Sequence, residues 1–242
     1  MRYFIHFSYD GTRYHGWQIQ PGAITVQEEM QKALSVLLRR NVEIVGAGRT
    51  DAGVHARHMV AHFNSDAPID EQHIAFRLGR MLPRDIAVSR IEQVEDSMHA
   101  RFSATRRTYH YYLHTERDPF ARHFSCELHY ALDFQRMNEA ALWLTSCTDF
   151  AAFCKTHTDV KTTLCNVSEA QWIQVDDQHW YFRISANRFL RNMVRAVVGT
   201  LIELGRGRIT LTDFQDIVKS RRRTNAGESM PAHALFLEDV AY

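Results

Sequence analysis

The run VEIVGAGRTDAGVHA, residues 42–56, places a carboxylate, Asp51, two residues after a guanidinium, Arg49, on a stretch interrupted by Gly46, Gly48 and Gly53. Glycine permits tight turns and close backbone approach. A carboxylate beside an arginine is held in its ionised form, which suits a nucleophile or an electrostatic stabiliser, whereas a general acid needs a raised pKa. Two phosphate-binding motifs nearly fit and both fail. The dinucleotide fingerprint would need a third glycine where Asp51 stands, and a P-loop reading from Gly48 to Gly53 would need lysine where Val54 stands. A lone aspartate in an Asx turn, bridged to an arginine, would be structural. Three glycines with Arg49 and His55 around it favour function. His55 itself, one of fourteen histidines, reads as a packed or solvated polar residue.

Two further stretches mix basic and aromatic residues. In FSATRRTYHYYLH, residues 102–114, Arg106 and Arg107 precede the alternation Tyr109, Tyr111, Leu113. Such a strand can grip an RNA backbone and stack a base; Tyr111 and Tyr112 are read as core. In ANRFLRNMVRAVVGTLIELGRG, residues 186–207, Phe189, Met193, Val197 and Leu201 form an apolar stripe, and Arg188, Arg191 and Arg195 follow at spacings of three and four. Arg195 is set among Val194, Ala196, Val197 and Val198, so an inward side chain would need a carboxylate, and Asp51 is the partner to name. The charge distribution agrees. Residues 187–223 carry nine bases and three acids in a chain whose formal net charge is only +1. This is a local field that attracts a polyanion. Arginine outnumbers lysine twenty-five to four, which suits phosphate contacts, although coding bias explains the ratio equally well.

The elements that must position these groups alternate in type. Residues 2–9 alternate as a strand and end in Asp10-Gly11-Thr12. Thr25 to Glu28 reads as a capping box opening a helix over 26–39. A short strand at 42–45 enters the glycine loop, 59–63 is a strand, 70–81 a helix and 86–94 extended. Later come a strand at 108–114, a helix at 134–144, strands at 167–175 and 180–185, and a long helix from about Arg188 to Leu204 closed by Gly205. A helix capped by Thr212 and a strand at 234–240 finish the chain. The expected class is α+β: two fused RRM-like α/β halves, 1–104 and 105–242, with a mixed, mainly antiparallel sheet and a central cleft. The N-terminal half carries the Asp51 loop.

A chain of 242 residues, 45% hydrophobic and 24% charged, can bury a full core, which excludes disorder. Cys126, Cys147, Cys154 and Cys165 form no C-x-x-C pair and no disulfide framework, so a reduced, cytoplasmic protein without structural zinc is expected. No stretch reads as a membrane span or a secretion signal.

Six motifs in order also carry a resemblance: FSYDGTRYHGWQIQ from Phe7, GRTDAGVHA from Gly48, FSATRRTY from Phe102, DFAAFCK from Asp149, FLRNMVRAVVGTLIELG from Phe189 and AHALFLEDVAY from Ala232. Together they resemble the tRNA pseudouridine synthase A family, end to end. The resemblance implies a cofactor-free, metal-free isomerase that detaches uracil, rotates it and rejoins it through C5. Its substrate would be tRNA, at positions 38, 39 and 40 of the anticodon arm, and it would act as a homodimer. By matching motif positions, Asp51 would be catalytic and Arg49 would serve base flipping. Tyr109 would stack on the base, Arg195 would pair with Asp51, and Leu235 would line the pocket. Arg57, Arg107, Arg188 and Arg191 are the candidate RNA-backbone contacts. One departure is Thr108, where relatives often carry arginine. Attack at C1′, attack at C6 and removal of the C2′ proton all remain open to Asp51. The alternative is a non-catalytic RNA-binding module of RRM-like halves, which leaves Asp51 without a task; a hydrolase would need a phosphate loop or a second carboxylate.

Overall fold

Strand β1 (Arg2–Tyr9) is buried along nearly its whole length, because it lies between two antiparallel neighbours and is covered on both faces. The computed structural model describes residues 1–155 and 161–242. Two compact units emerge, one of Met1–Thr105 with Phe236–Tyr242, the other of Arg106–Leu235. The last strand therefore packs with the N-terminal residues, although the sequence expectation grouped it with 105–242.

In the first unit β1 pairs with β3 (His55–Asn64) and β4 (Ile86–Val94), and β2 (Val45–Gly46) adds to β3. The final strand β9 (Leu235–Ala241) runs parallel to β3, with His55 opposite Phe236. Helix α1 (Val26–Leu38) starts at Thr25, whose hydroxyl accepts the Glu28 N–H at 3.3 Å. Only that half of the expected capping box is recorded, since the Glu28 carboxylate binds Lys32 at 2.8 Å. Helix α2 (Glu71–Met81) is capped by Asp70. Strand β3 is longer than expected because its pairing with β1 continues back to Ala56.

The second unit is built on β5 (Arg106–His114), β8 (His179–Ala186) and β7 (Val167–Gln174), all antiparallel, with the short β6 (Cys126–Glu127) parallel to β5. Helices α3 (Phe134–Leu144), α4 (Met193–Gly205) and α5 (Leu211–Ser220) complete it. The fold is thus α+β with a mixed, mainly antiparallel sheet. Two sequence expectations need correction. The long helix begins at Met193, not near Arg188, because Asn192 sits at φ 67°, a left-handed conformation that a continuing helix cannot contain. Arg188 and Arg191 therefore do not share a helical face with Arg195. The next helix is capped by Thr210 rather than Thr212: Thr210 and Asp213 exchange side-chain and backbone hydrogen bonds in a full capping box. Among the described residues no helix is long and apolar enough to cross a membrane.

Candidate active site

The Asp51 loop leaves β2 and is tied both to the residues that follow β1 and to itself. Trp17 N–H donates to Thr50 O at 3.3 Å, Gly53 N–H to Tyr14 O at 3.2 Å, and Val54 N–H to Asp51 O at 3.1 Å. The Thr50 hydroxyl meets the Tyr9 hydroxyl at 2.8 Å, both buried. These contacts require glycine on the bracing side. A Cβ on Gly11 would lie 2.0 Å from Val54 O, and one on Gly16, whose φ is +86°, would lie 2.3 Å from Thr50 O. Turn chemistry at YDG and HGW was the available signal; the partner they approach was not readable from it. Asp51 is left half-buried at the top of this turn, with Arg49 exposed beside it.

His55 is 1% exposed and stacks on Phe236 at 4.5 Å. Its Nδ1 accepts the Gly11 N–H at 2.9 Å, and the Asp10 carboxylate lies 3.0 Å from the same atom. One nitrogen cannot accept and donate together, so a bare Nδ1 takes the Gly11 bond and a protonated Nδ1 takes Asp10. Either way His55 braces the loop. Burial works against the Asp10 charge, but the Thr12 hydroxyl and N–H, with His55, hold its carboxyl below the ordinary value. Arg57, on β3, is exposed; its Nε lies 3.4 Å from Glu238 and its guanidinium 5.3 Å from the Phe236 ring centre. Beside the loop lies a cavity of about 110 Å³, with Trp17, Gln27, Arg49 and Arg101 in its wall.

The second unit holds the remaining candidates. Tyr109 is opposite Ile184 on β8, 8% exposed, and meets Phe189 edge-on at 5.0 Å. Arg107 is buried and donates from Nη1 to Asn187 O at 2.7 Å. That bond ties Arg107 to its own chain through one of the guanidinium's donors. Thr108, the departure noted above, is buried against the Ser185 hydroxyl at 2.9 Å. Arg188 is half-buried and Arg191 exposed, on irregular backbone before α4. Leu235 is buried at the start of β9.

Arg195 is half-buried on α4 and fastened to one residue twice. Its Nε donates to Met230 O at 2.5 Å, and its carbonyl accepts the Met230 N–H at 3.2 Å. Gly199 lets this segment lie against the helix, since a Cβ there would be 1.9 Å from Glu228 O. Thr200 takes the Gly227 N–H at 2.9 Å and Asn192 reaches the Ser229 hydroxyl at 2.5 Å. Residues 227–230 thus form a strap across α4. Tyr111 beneath is fully buried; burial and then the Cys126 thiol push its phenol well above the ordinary value, and Arg195 opposes them.

Comparison with known proteins places this arrangement. The family model for tRNA pseudouridine synthase matches residues 5–103 and 147–242. A tRNA pseudouridine synthase A of Bacteroides fragilis is 53% identical over 242 residues, covering all of this chain and 96% of its own. One from Porphyromonas gingivalis is 51% identical, covering all of this chain and 97% of its own, and one from Bacillus subtilis is 39% identical with coverage of 100% and 99%. With matches that run through both the Asp51 loop and the Arg195 helix, the chain belongs to the tRNA pseudouridine synthase family.

Proposed function

We propose that this protein isomerises uridine to pseudouridine in tRNA, at positions 38, 39 and 40 of the anticodon arm, with Asp51 as the catalytic carboxylate. The observation that carries this reading is a half-buried aspartate on a turn whose neighbours are fixed by backbone hydrogen bonds, in a chain of this family. Pre-set geometry of that kind is what a reacting carboxylate needs. The reaction breaks the C1′–N1 bond and forms C1′–C5, while C5 loses a proton and N1 ends protonated. No electrons leave and no outside group is consumed, so side chains suffice and no cofactor or metal is called for.

In this proposal a stem or loop uridine is extruded to reach Asp51, with Arg49 assisting the extrusion. Arg195 pairs with Asp51, Tyr109 stacks on the base and helps remove the C5 proton, and Leu235 lines the pocket. Arg57, Arg188 and Arg191 contact phosphates, which sets affinity and makes it salt-dependent. Arg107 joins them in this contact, with its Nη1 also donating to Asn187 O. The working form is a homodimer in the cytoplasm. A carbodiimide or mass-spectrometric map of unmodified tRNA incubated with the pure protein tests reaction, position and cofactor independence together: pseudouridine at 38–40 supports the proposal. RNA bound without any modified residue would favour a non-catalytic binding module.

A further inference from the structure

Arg223, one of the bases that give residues 187–223 their positive field, opens the short 3₁₀ turn Arg223–Asn225 after α5. Its half-buried guanidinium reaches forward along its own chain. Nη1 donates to Ala226 O at 3.3 Å and to Gly227 O at 3.0 Å, and Nη2 donates to the Ser229 hydroxyl at 2.9 Å. Asn192 reaches the same hydroxyl. One planar fork with donors at fixed angles thus shapes the whole stretch 226–229, a geometry that a compact ammonium does not present. None of these acceptors belongs to a helix or a strand, so replacing Arg223 loosens the stretch without breaking an element.

What the stretch holds in turn is Arg195. Met230, the residue after Ser229, takes the Arg195 Nε–H on its carbonyl and gives its own N–H to the Arg195 carbonyl. Nε carries a single hydrogen. With that hydrogen given to Met230, a carboxylate paired with Arg195 is met by the terminal Nη1 and Nη2 groups, in the two-bond geometry that makes such pairs strong and directional. The place of Met230 O therefore sets the plane in which the pair forms. Gly199, Thr200 and Asn192 decide where the strap lies on α4, and Arg223 decides the path it takes to Met230.

We infer that Arg223 is a positioning residue for the isomerisation: by holding residues 226–229 it places Met230 O, and through it the Arg195 guanidinium, for the carboxylate of Asp51. The inference rests on the proposed pairing of Arg195 with Asp51. A residue that merely stabilised the fold would lower the melting temperature and leave the chemical step of the folded enzyme unchanged.

The test is a double-mutant cycle read in single-turnover pseudouridine formation on tRNA, with enzyme in excess and below the melting temperature of every variant. Arg223→Gln should slow that step about tenfold, with tRNA affinity within about twofold of wild type. Arg195→Lys keeps the charge and lacks the fork; it should be about a hundredfold slower, and adding Arg223→Gln to it should change the rate less than about twofold. Ser229→Ala removes one of the three acceptors and should be about threefold slower, with the same masking by Arg195→Lys. It carries the test if Arg223→Gln folds poorly. A wild-type rate in Arg223→Gln, or in Ser229→Ala where that variant stands in for it, would overturn the inference, and so would penalties that multiply in the double variant. Arg195→Lys at the wild-type rate would instead remove the pairing on which the inference rests. A wild type that forms no pseudouridine would remove the functional reading.

Discussion

The Asp51 loop in the first unit and the Arg195 turn in the second are held by the same device with different visibility. Each keeps its charged residue in place by laying a second backbone segment against a glycine: Gly11 and Gly16 against Val54 and Thr50, Gly199 against Glu228. The first brace comes from a stretch with plain turn chemistry just after a strand. The second comes from residues 227–230 and meets a glycine in the middle of a helix. Where a charged group stands is decided in both units by backbone contact, and the side chains around it are secondary.

The equivalence is most exposed to Gly11→Ala and Gly199→Ala. Each puts a methyl group at about 2 Å from a carbonyl oxygen. Each should cost about 3 kcal/mol, a fall in melting temperature of about 6–12 °C. A calorimetric loss below about 0.5 kcal/mol in either one would break the comparison.

A smaller effect is specific to the first unit. Burial, assisted by His99 and Arg2, lowers the His62 pKa to about 4, and its Nδ1 accepts the Ala100 N–H at 3.1 Å. The folded form therefore resists protonation while the unfolded chain binds a proton near 6.5. The stabilisation is complete above that value and is lost as pH falls toward 4. His62→Asn, which can keep the acceptor, should flatten denaturation midpoints measured between pH 6.5 and 4, and an unchanged slope would contradict the assignment.

The remaining predictions concern the second unit. Asn192→Ala should cost about 1–2 kcal/mol because alanine tolerates the left-handed conformation poorly. Asn192→Gly should cost less, losing only the Ser229 bond; the reverse order in urea melts would argue against a backbone origin. Smallest is the cap: Thr210→Ala should cost about 1 kcal/mol and Thr212→Ala almost nothing in the same melts.

Those contrasts mark what the sequence could convey. Strand β1 and helices α1, α2 and α3 were legible because apolar period and capping residues act locally. The start of α4 was not, since apolar spacing runs on through Phe189 and Met193 while the break at Asn192 is supported by Ser229 far along the chain. Thr210 and Thr212 are alike as residues; Asp213, three after Thr210, was the distinguishing signal. Of the adjacent Arg106 and Arg107 on a strand, one must turn inward, and only pairing with β8, which sets Arg107 opposite Ala186, decides which. In the candidate site, Asp51 and Arg49 stood out through glycine spacing. The braces at Gly11, Gly16 and Gly199 and the cavity at Trp17 arise from contacts distant in sequence, which no local pattern records.

The central claim is that Asp51 performs the chemistry on a turn that the rest of the site merely holds. Asp51→Asn preserves size and hydrogen bonding and removes the charge. Single-turnover pseudouridine formation on tRNA should fall at least about a thousandfold, about 4 kcal/mol in the barrier, with melting temperature and RNA affinity near wild type. Turnover within about tenfold of wild type in that variant would contradict the account.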